Sequence, residues 1–341
     1  MTGLDDPRLT MAVIPPAVLS GVVEMGRREG LPVDMWFSGT GVAADDMVMS
    51  DSVRVSFRQA AVVLRRAVRA MPERPLGMWV GGRDTLLSFG LLGVAMRSCA
   101  TVADALSIAR ELHQASGSLL DFDVETGGDE VALRLDERSP DPELVAFLCE
   151  EALCSTVAFI RAVAGVDWAP TRIELTYTAP AYGARYHRFF RCPVLFGVAA
   201  NRMVLPGAML DQALPTHHEP TRAVAIETCR RLLDLDGARP DIVSSVEGLL
   251  ARNLRQPLTM TEAARHLHLT ERTLRRQLTA AGERFSAIRD RVRERRATSL
   301  LQESALTIEI VAHELGFSDA REFRRAYIRW TGEPPSAARR R

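Results

Sequence analysis

Two segments near the carboxyl end repeat one another at an offset of 48 residues, so any fold must place both copies in equivalent surroundings. The offset sets Leu258 on Leu306, Thr259 on Thr307, Ala264 on Ala312, Leu267 on Leu315, Leu269 on Phe317 and Thr270 on Ser318. Each copy reads as a short helix, a tight turn, a hydroxyl residue able to cap, and a second helix heavy in Arg. That order is the pattern of a helix-turn-helix. Between the copies, Phe285, Ile288, Val292, Ala297, Leu300 and Leu301 recur mostly at three- and four-residue intervals, which predicts a spacer helix over Phe285 to Leu301. Arg289, Arg291, Arg293, Arg295 and Arg296 are expected to crowd its remaining surface. About 17 residues at ~1.5 Å each give ~25 Å of helix, which would set two reading heads near the ~34 Å of one DNA turn.

In the first copy Thr259 and Glu262 have capping-box spacing, and Ala263, Ala264 and Leu267 supply a buried face. Thr270 is placed to cap a second helix whose Leu274 and Leu278 point inward, leaving Arg272, Thr273, Arg275, Arg276 and Gln277 outward. In the second copy Ile308, Val311, Ala312 and Leu315 form the core face, Gly316 the sharp turn and Ser318 the expected cap. Phe323 and Tyr327 anchor the next helix, with Arg321, Glu322, Arg324 and Arg325 facing solvent. A charge run is usually only a solvated face, but two capped helices with the same Arg pattern are harder to explain that way. The charge distribution points in the same direction. From Asp241 onward there are 19 Arg against 13 Asp and Glu, whereas the first 240 residues hold 24 basic and 30 acidic groups. A basic tail on an acidic body suits a polyanion partner, and Arg bridges O6 and N7 of guanine in the major groove. All 43 basic residues are Arg, which a GC-rich coding sequence explains more cheaply than function does.

The 341 residues allow two or three domains, and 47% hydrophobic content supports real cores. Helices are expected over Pro16 to Arg28, Ser52 to Ala70, Thr101 to Ser116 and Pro142 to Gly165, with a short turn of helix over Leu31 to Phe37. Gly77 to Gly93 reads as a buried helix and turn, with an apolar pocket wall as the alternative. Alternation predicts a hairpin of Leu119 to Glu125 and Val131 to Leu135 about Gly127-Gly128, a strand over Arg172 to Thr178, and short strands over Pro193 to Phe196 and Met203 to Leu205. Helices and strands in this order make an α+β domain. Pro215 to Pro220 reads as a linker, Thr221 to Leu235 as a helix and Asp236 to Pro240 as a second break.

Several function classes find no support. Cys99, Cys149, Cys154, Cys192 and Cys229 include no CxxC pair, and His187 and His217-His218 have no Glu or Cys at ligand spacing, so neither metal nor cofactor is expected. There is no GxSxG, no P-loop and no GxGxxG opening a helix after a strand. The start MTGLDDPRL is acidic where a signal peptide is basic, and no apolar run reaches the ~18 residues of a membrane span, so the expected location is cytoplasmic with no membrane contact.

Residues 257 to 339 resemble the double helix-turn-helix domain of the AraC family of bacterial transcription regulators. The resemblance is carried by Ile310-Val311-Ala312, Leu315-Gly316-Phe317-Ser318, Phe323-Arg324-Arg325-Ala326-Tyr327, Trp330-Thr331-Gly332, Pro335-Ser336 and Arg339. Ala338 departs from the pattern, since the family usually places an aromatic before the final Arg, and Asp319-Ala320-Arg321 supplies only one long polar side chain. Tyr186 to Gly197, Asn201, Leu205-Pro206 and Leu210 to Pro215 are similar to landmarks of the arabinose-binding-like effector domain of that family. The resemblance implies an effector-binding and dimerising domain over 1–215, a connecting segment over 216–240 and an all-α double helix-turn-helix domain over 241–341. It further implies double-stranded DNA as partner, a small-molecule effector of unnamed class, a homodimer, and RNA polymerase as a further partner if the protein is an activator. Arg272, Arg276, Arg321 and Arg325 lie where family members read bases, and Arg275 and Arg324 equally suit phosphates. Two alternatives stay open: an effector-independent dimeric regulator, and a DNA-targeted enzyme using a reactive Cys.

Overall fold

The computed structural model describes residues 6–49, 53–233, 239–303 and 306–339. The chain divides into two compact units, Met1–Trp36 with Ala44–Ala238, and Phe37–Ala43 with Arg239–Arg341. Among the described residues no helix is long and apolar enough to cross a membrane, and no three His, Cys, Asp or Glu cluster as metal ligands would.

The first unit opens with α1 (Pro7–Thr10), α2 (Ala17–Arg28), α3 (Ala44–Met49) and α4 (Phe57–Ala70). The helix expected from Ser52 starts instead at Phe57; Ser52 itself lies outside the described residues. Ser56 is the cap, its Oγ accepting from Gln59 N at 3.0 Å while Gln59 Oε1 accepts from Ser56 N at 2.8 Å. Val55 is drawn into extended backbone by its bridge to Ile14. Next come α5 (Leu76–Gly81), α6 (Thr85–Arg97) and α7 (Val102–Leu112), the last capped by Thr101 as its sequence predicts. Gly90 breaks α6 with φ 51° and ψ −131°, a conformation that only glycine adopts without strain.

The hairpin forms as β1 (Leu120–Gly127) and β2 (Glu130–Glu137), followed by α8 (Val145–Ala164), β3 (Arg172–Leu175), α9 (Ala184–Phe190), β4 (Val194–Phe196), β5 (Asn201–Pro206) and α10 (Glu219–Leu233). The sheet order is β1-β2-β5-β3-β4, antiparallel except for the β3–β4 pair, so the α+β expectation holds. One face buries Val131, Leu133, Ile173, Leu175 and Met203. On the other face Arg134 and Arg202 sit directly opposite one another, and Glu125 accepts from both at 2.8 Å, turning a like-charge clash into a shared ion pair. The landmark Tyr186 to Gly197 proves structural: Tyr186 and Phe190 are fully buried, and Arg191 takes the left-handed cap of α9. Helix α10 begins two residues earlier than expected and buries Ala225, Ile226 and Cys229 beside α6 and α7. The break expected at Asp236 to Pro240 lies mostly outside the described residues.

Helix α8 is nearly continuous apolar surface because it is enclosed on most sides, and α5 lies against it at backbone distance. A Cβ on Gly77 would lie 2.4 Å from Phe147 O, and one on Gly81 2.2 Å from Glu151 O. Those two glycines are what permits the approach. The paired acids of α8 have different fates. Glu150 accepts from Tyr182 Oη at 2.8 Å and Tyr186 Oη at 2.5 Å. Glu151 receives no hydrogen bond among the described residues, and burial pushes its carboxyl up to about 7 despite the opposing charge of Arg83.

The second unit consists of α11 (Asp241–Arg252), α12 (Met260–His266), α13 (Glu271–Ala280), α14 (Phe285–Glu303), α15 (Ile308–Glu314), α16 (Ala320–Thr331) and α17 (Pro335–Ala338). It has two separate cores. One gathers Val246, Ala264, Leu274, Leu278, Ile288 and Val292, and the other Ala297, Leu301, Val311, Leu315, Phe323 and Tyr327. Helix α14 therefore belongs to both, as a spacer should. Its arginines do not all face solvent as expected: Arg289, Arg291 and Arg293 are half-buried. Arg291 bridges Glu247 at 2.8 Å and Glu283 at 3.0 Å, and Arg293 lies 4.8 Å over the Phe317 ring, where desolvation pulls its guanidinium below the ordinary value. The segment Phe37–Ala43 closes this unit, with Thr40 O accepting from Ser245 Oγ at 2.9 Å and Gly41 O from Arg252 Nη2 at 2.8 Å.

Gly81→Ala forces a methyl into the Glu151 carbonyl and is expected to destabilise the first unit by about 3 kcal/mol in urea denaturation. For Glu151, a carboxyl raised from 4.5 to about 7 holds its proton more tightly in the folded state, so its contribution is greatest at acid pH and is lost as pH rises towards 7. Glu151→Gln is expected to gain up to about 3 kcal/mol over wild type near pH 8 and nothing near pH 4, read from denaturation curves across that range.

Candidate nucleic-acid interface

Each head of the second unit is built from a short helix, a left-handed turn and an Arg-bearing helix. In the first, Thr259 caps α12 through the expected box, its Oγ1 accepting from Glu262 N at 3.2 Å while Glu262 Oε2 accepts from Thr259 N at 2.8 Å. The turn to α13 passes through His268 at φ 54°, and the residue 48 positions on is Gly316 at φ 71°. The repeat thus extends to backbone conformation. At Gly316 a Cβ would lie 2.4 Å from Leu254 O, so glycine is required twice over. At His268 the left-handed residue carries a side chain, and its Nε2 is 3.0 Å from Ser38 Oγ.

Helix α13 starts at the Thr270 cap, which accepts from Thr273 N at 3.2 Å. Leu274 and Leu278 are buried, and the helical period then turns Arg272 and Arg276 outward on one side. Neither has an ion-pair partner among the described residues. Arg275 is also exposed, but its Nη2 donates to Glu271 Oε1 at 2.5 Å. Glu271 in addition accepts from Thr261 Oγ1 at 2.6 Å, tying α12 to α13. Sequence reading passed over Glu271, although its four-residue spacing to Arg275 signals the pair. Thr273 is half-buried, with its hydroxyl 2.8 Å from Thr270 Oγ1.

Helix α16 departs from the expectation in its cap. Asp319, not Ser318, is the capping residue, accepting from Glu322 N at 2.7 Å. A carboxylate takes this position more strongly because it accepts with a full charge at the positive end of the helix. Ser318 serves the cap differently, donating through Oγ to Glu322 Oε2 at 2.7 Å, and these hydrogen bonds hold the Glu322 carboxyl below its usual range. Phe323 and Tyr327 are buried, and Arg321, Arg324 and Arg325 are exposed with no ion-pair partner among the described residues. The two heads therefore present the same cationic side chains on different grounds: hydroxyl-capped in α13, flanked by two carboxylates in α16. At the end of the second core, Ala338 is buried and Arg339 Nη2 donates to Leu306 O.

Comparison with known proteins assigns both parts of the chain. Residues 30–214 match the arabinose-binding N-terminal domain of AraC transcription regulators, and residues 263–341 match a helix-turn-helix domain. An uncharacterized HTH-type transcriptional regulator of Mycobacterium tuberculosis is 28% identical over 322 residues, 93% of this chain and 94% of that one. The ornithine utilization regulator of Pseudomonas aeruginosa is 25% identical over 327 residues, 96% of each chain. The crystal structure of the transcriptional regulator CdpR from Pseudomonas aeruginosa aligns over 83% of this chain and 91% of that one at 24% identity, with a TM-score of 0.43. The chain belongs to the AraC family of DNA-binding transcription regulators, with an arabinose-binding-like domain ahead of its helix-turn-helix domain.

Proposed function

We propose that α13 and α16 enter successive major grooves of double-stranded DNA, with Arg272, Arg276, Arg321 and Arg325 aimed at base edges and Arg275 and Arg324 at phosphates. The observation that carries this is the exposure of these arginines opposite the buried anchors of each helix, with Arg272, Arg276, Arg321, Arg324 and Arg325 free of ion pairs among the described residues and Arg275 alone paired, to Glu271. Glu322 and Thr273 act by fixing helix starts, since their polar atoms are already engaged there. Asp319 and Glu322 put negative charge at the start of α16, so the first head contributes more of the phosphate attraction.

In this reading the first unit binds a small-molecule effector and mediates a homodimer, and the regulator acts in the cytoplasm as an activator in contact with RNA polymerase. The description of the matched domain names arabinose and one relative is named for ornithine utilization, so these are the first two compounds to try. A DNA-targeted enzyme finds little support in the thiols. Cys99, Cys149, Cys154 and Cys229 are buried, and burial pushes Cys99 and Cys192 up to about 11, far from a nucleophilic thiolate.

With a duplex selected from a random pool, Arg276→Ala is expected to lose about 1–3 kcal/mol on the selected site and much less on a scrambled one. Arg324→Ala is expected to weaken both duplexes equally and to lower the salt slope by about 1. A gel-shift titration at several salt concentrations checks both, and an equal loss on both duplexes for Arg276→Ala would make that residue a phosphate contact.

A further inference from the structure

The first unit encloses an apolar cavity walled by α6, α7, β1, β2 and α8, and a second cavity beside it shares Met96, Leu106 and Thr156 in its wall. Together they follow α8 from Glu151 to Phe159 and Ile160, where Leu214 and Pro215 close the far end. Both halves of Gly77 to Gly93 thus reach cavities as well as core: Met78 and Trp79 of α5 line a separate pocket, and Ser88, Phe89 and Leu92 of α6 line the first cavity.

Most polar side chains in the first wall are committed to the protein itself. Ser116 Oγ donates to His113 O at 2.7 Å, Ser118 Oγ to Leu120 O at 2.9 Å, and Ser155 Oγ and Thr156 Oγ1 to Ala152 O at 3.0 and 2.7 Å. The two ring nitrogens of His113 each lie 3.1 Å from an oxygen, of Arg110 and of Asp121. Two groups are left over. Among the described residues Ser88, 8% exposed, has no hydrogen-bond partner for its Oγ, and Glu151, a residue 9% exposed, receives no hydrogen bond and is opposed only by the charge of Arg83. A buried polar group without a partner costs about 1–3 kcal/mol, so this pair is a standing demand for a ligand's polar end.

That demand restricts the ligand. A monosaccharide brings several hydroxyls into a wall that answers only two groups, and each unmatched one carries the same penalty. An anionic head would be set beside Glu151. We propose that the two cavities, which share a wall, together bind a single-chain amphiphile whose compact head is an amine or hydroxyl donating to Glu151 and Ser88, with its alkyl chain lying along α8. This rests on the reading of the first unit as effector-binding.

The test is displacement of the fluorescent probe N-phenyl-1-naphthylamine from the full chain by decylamine, 1-decanol, decanoate, L-arabinose and ornithine, all below any micelle-forming concentration. Decylamine and 1-decanol are expected to displace it at concentrations at least about tenfold below decanoate, and Glu151→Gln to bring decylamine within about threefold of decanoate. Leu106→Trp, which fills the junction of the two cavities, is expected to abolish probe binding while gel shifts on DNA persist. Equal displacement by decanoate, or an amine preference that survives Glu151→Gln, overturns the assignment. Thermal stabilisation of the chain by arabinose or ornithine, with no response to the amphiphiles, overturns the class of ligand and leaves the effector reading standing. Silence from all five overturns both.

Discussion

The burial of one helix in two separate cores is the constraint on which the DNA-binding unit depends. Ile288 and Val292 of α14 belong to the first core, and Ala297, Leu300 and Leu301 to the second. Because an α-helix is rigid over this length, the rotation and rise between those two sets of side chains fix how one recognition helix is turned relative to the other. The half-buried arginines add to the constraint. Arg291 ties α14 to α11 through Glu247, and Arg293 stacks on Phe317 in the turn of the second head, so the helix is gripped on its polar side as well. Charges that a sequence pattern assigns to solvent are here used as internal struts.

The first unit is organised by a different device, the close approach of α5 to α8 across Gly77 and Gly81. That approach buries two adjacent acids in one stroke. Glu150 meets two tyrosine hydroxyls and becomes structural, whereas Glu151, on the next position and in the cavity wall, receives no hydrogen bond among the described residues and is opposed only by the charge of Arg83. A native fold rarely leaves such a group without a partner unless something else supplies one. The far wall of the same cavities ends at Leu214 and Pro215, immediately before α10, through which the chain leaves the unit.

Much of this was legible in the sequence, and the reasons are physical. The two helix-turn-helix copies, the hairpin, α7 and α8 rest on local periodicity and capping, which neighbouring residues alone decide. The exposure of Arg272, Arg276, Arg321 and Arg325 followed from the same geometry. What escaped depended on partners far away in the chain. The start of α4 was misplaced because Val55 answers to Ile14, and the half-burial of Arg291 and Arg293 depends on Glu247 and Phe317. The grouping of Phe37–Ala43 with the second unit, where Ser38 meets His268, has no local signature at all. The cap of α16 was a nearer miss: Asp319 and Ser318 both suit the position, and only the hydrogen bond to Glu322 N decides between them.

The central claim is that α14 sets the two reading heads in a fixed phase, and inserting two alanines after Ala297 tests it most directly. The insertion rotates one head by ~200° and advances it by ~3 Å without removing an Arg. In a gel-shift titration on the selected duplex the account predicts loss of specific binding, with affinity falling to that for scrambled DNA. Affinity for the selected duplex unchanged from wild type would contradict it, since it would mean that one head alone reads DNA and that the spacing carries no information.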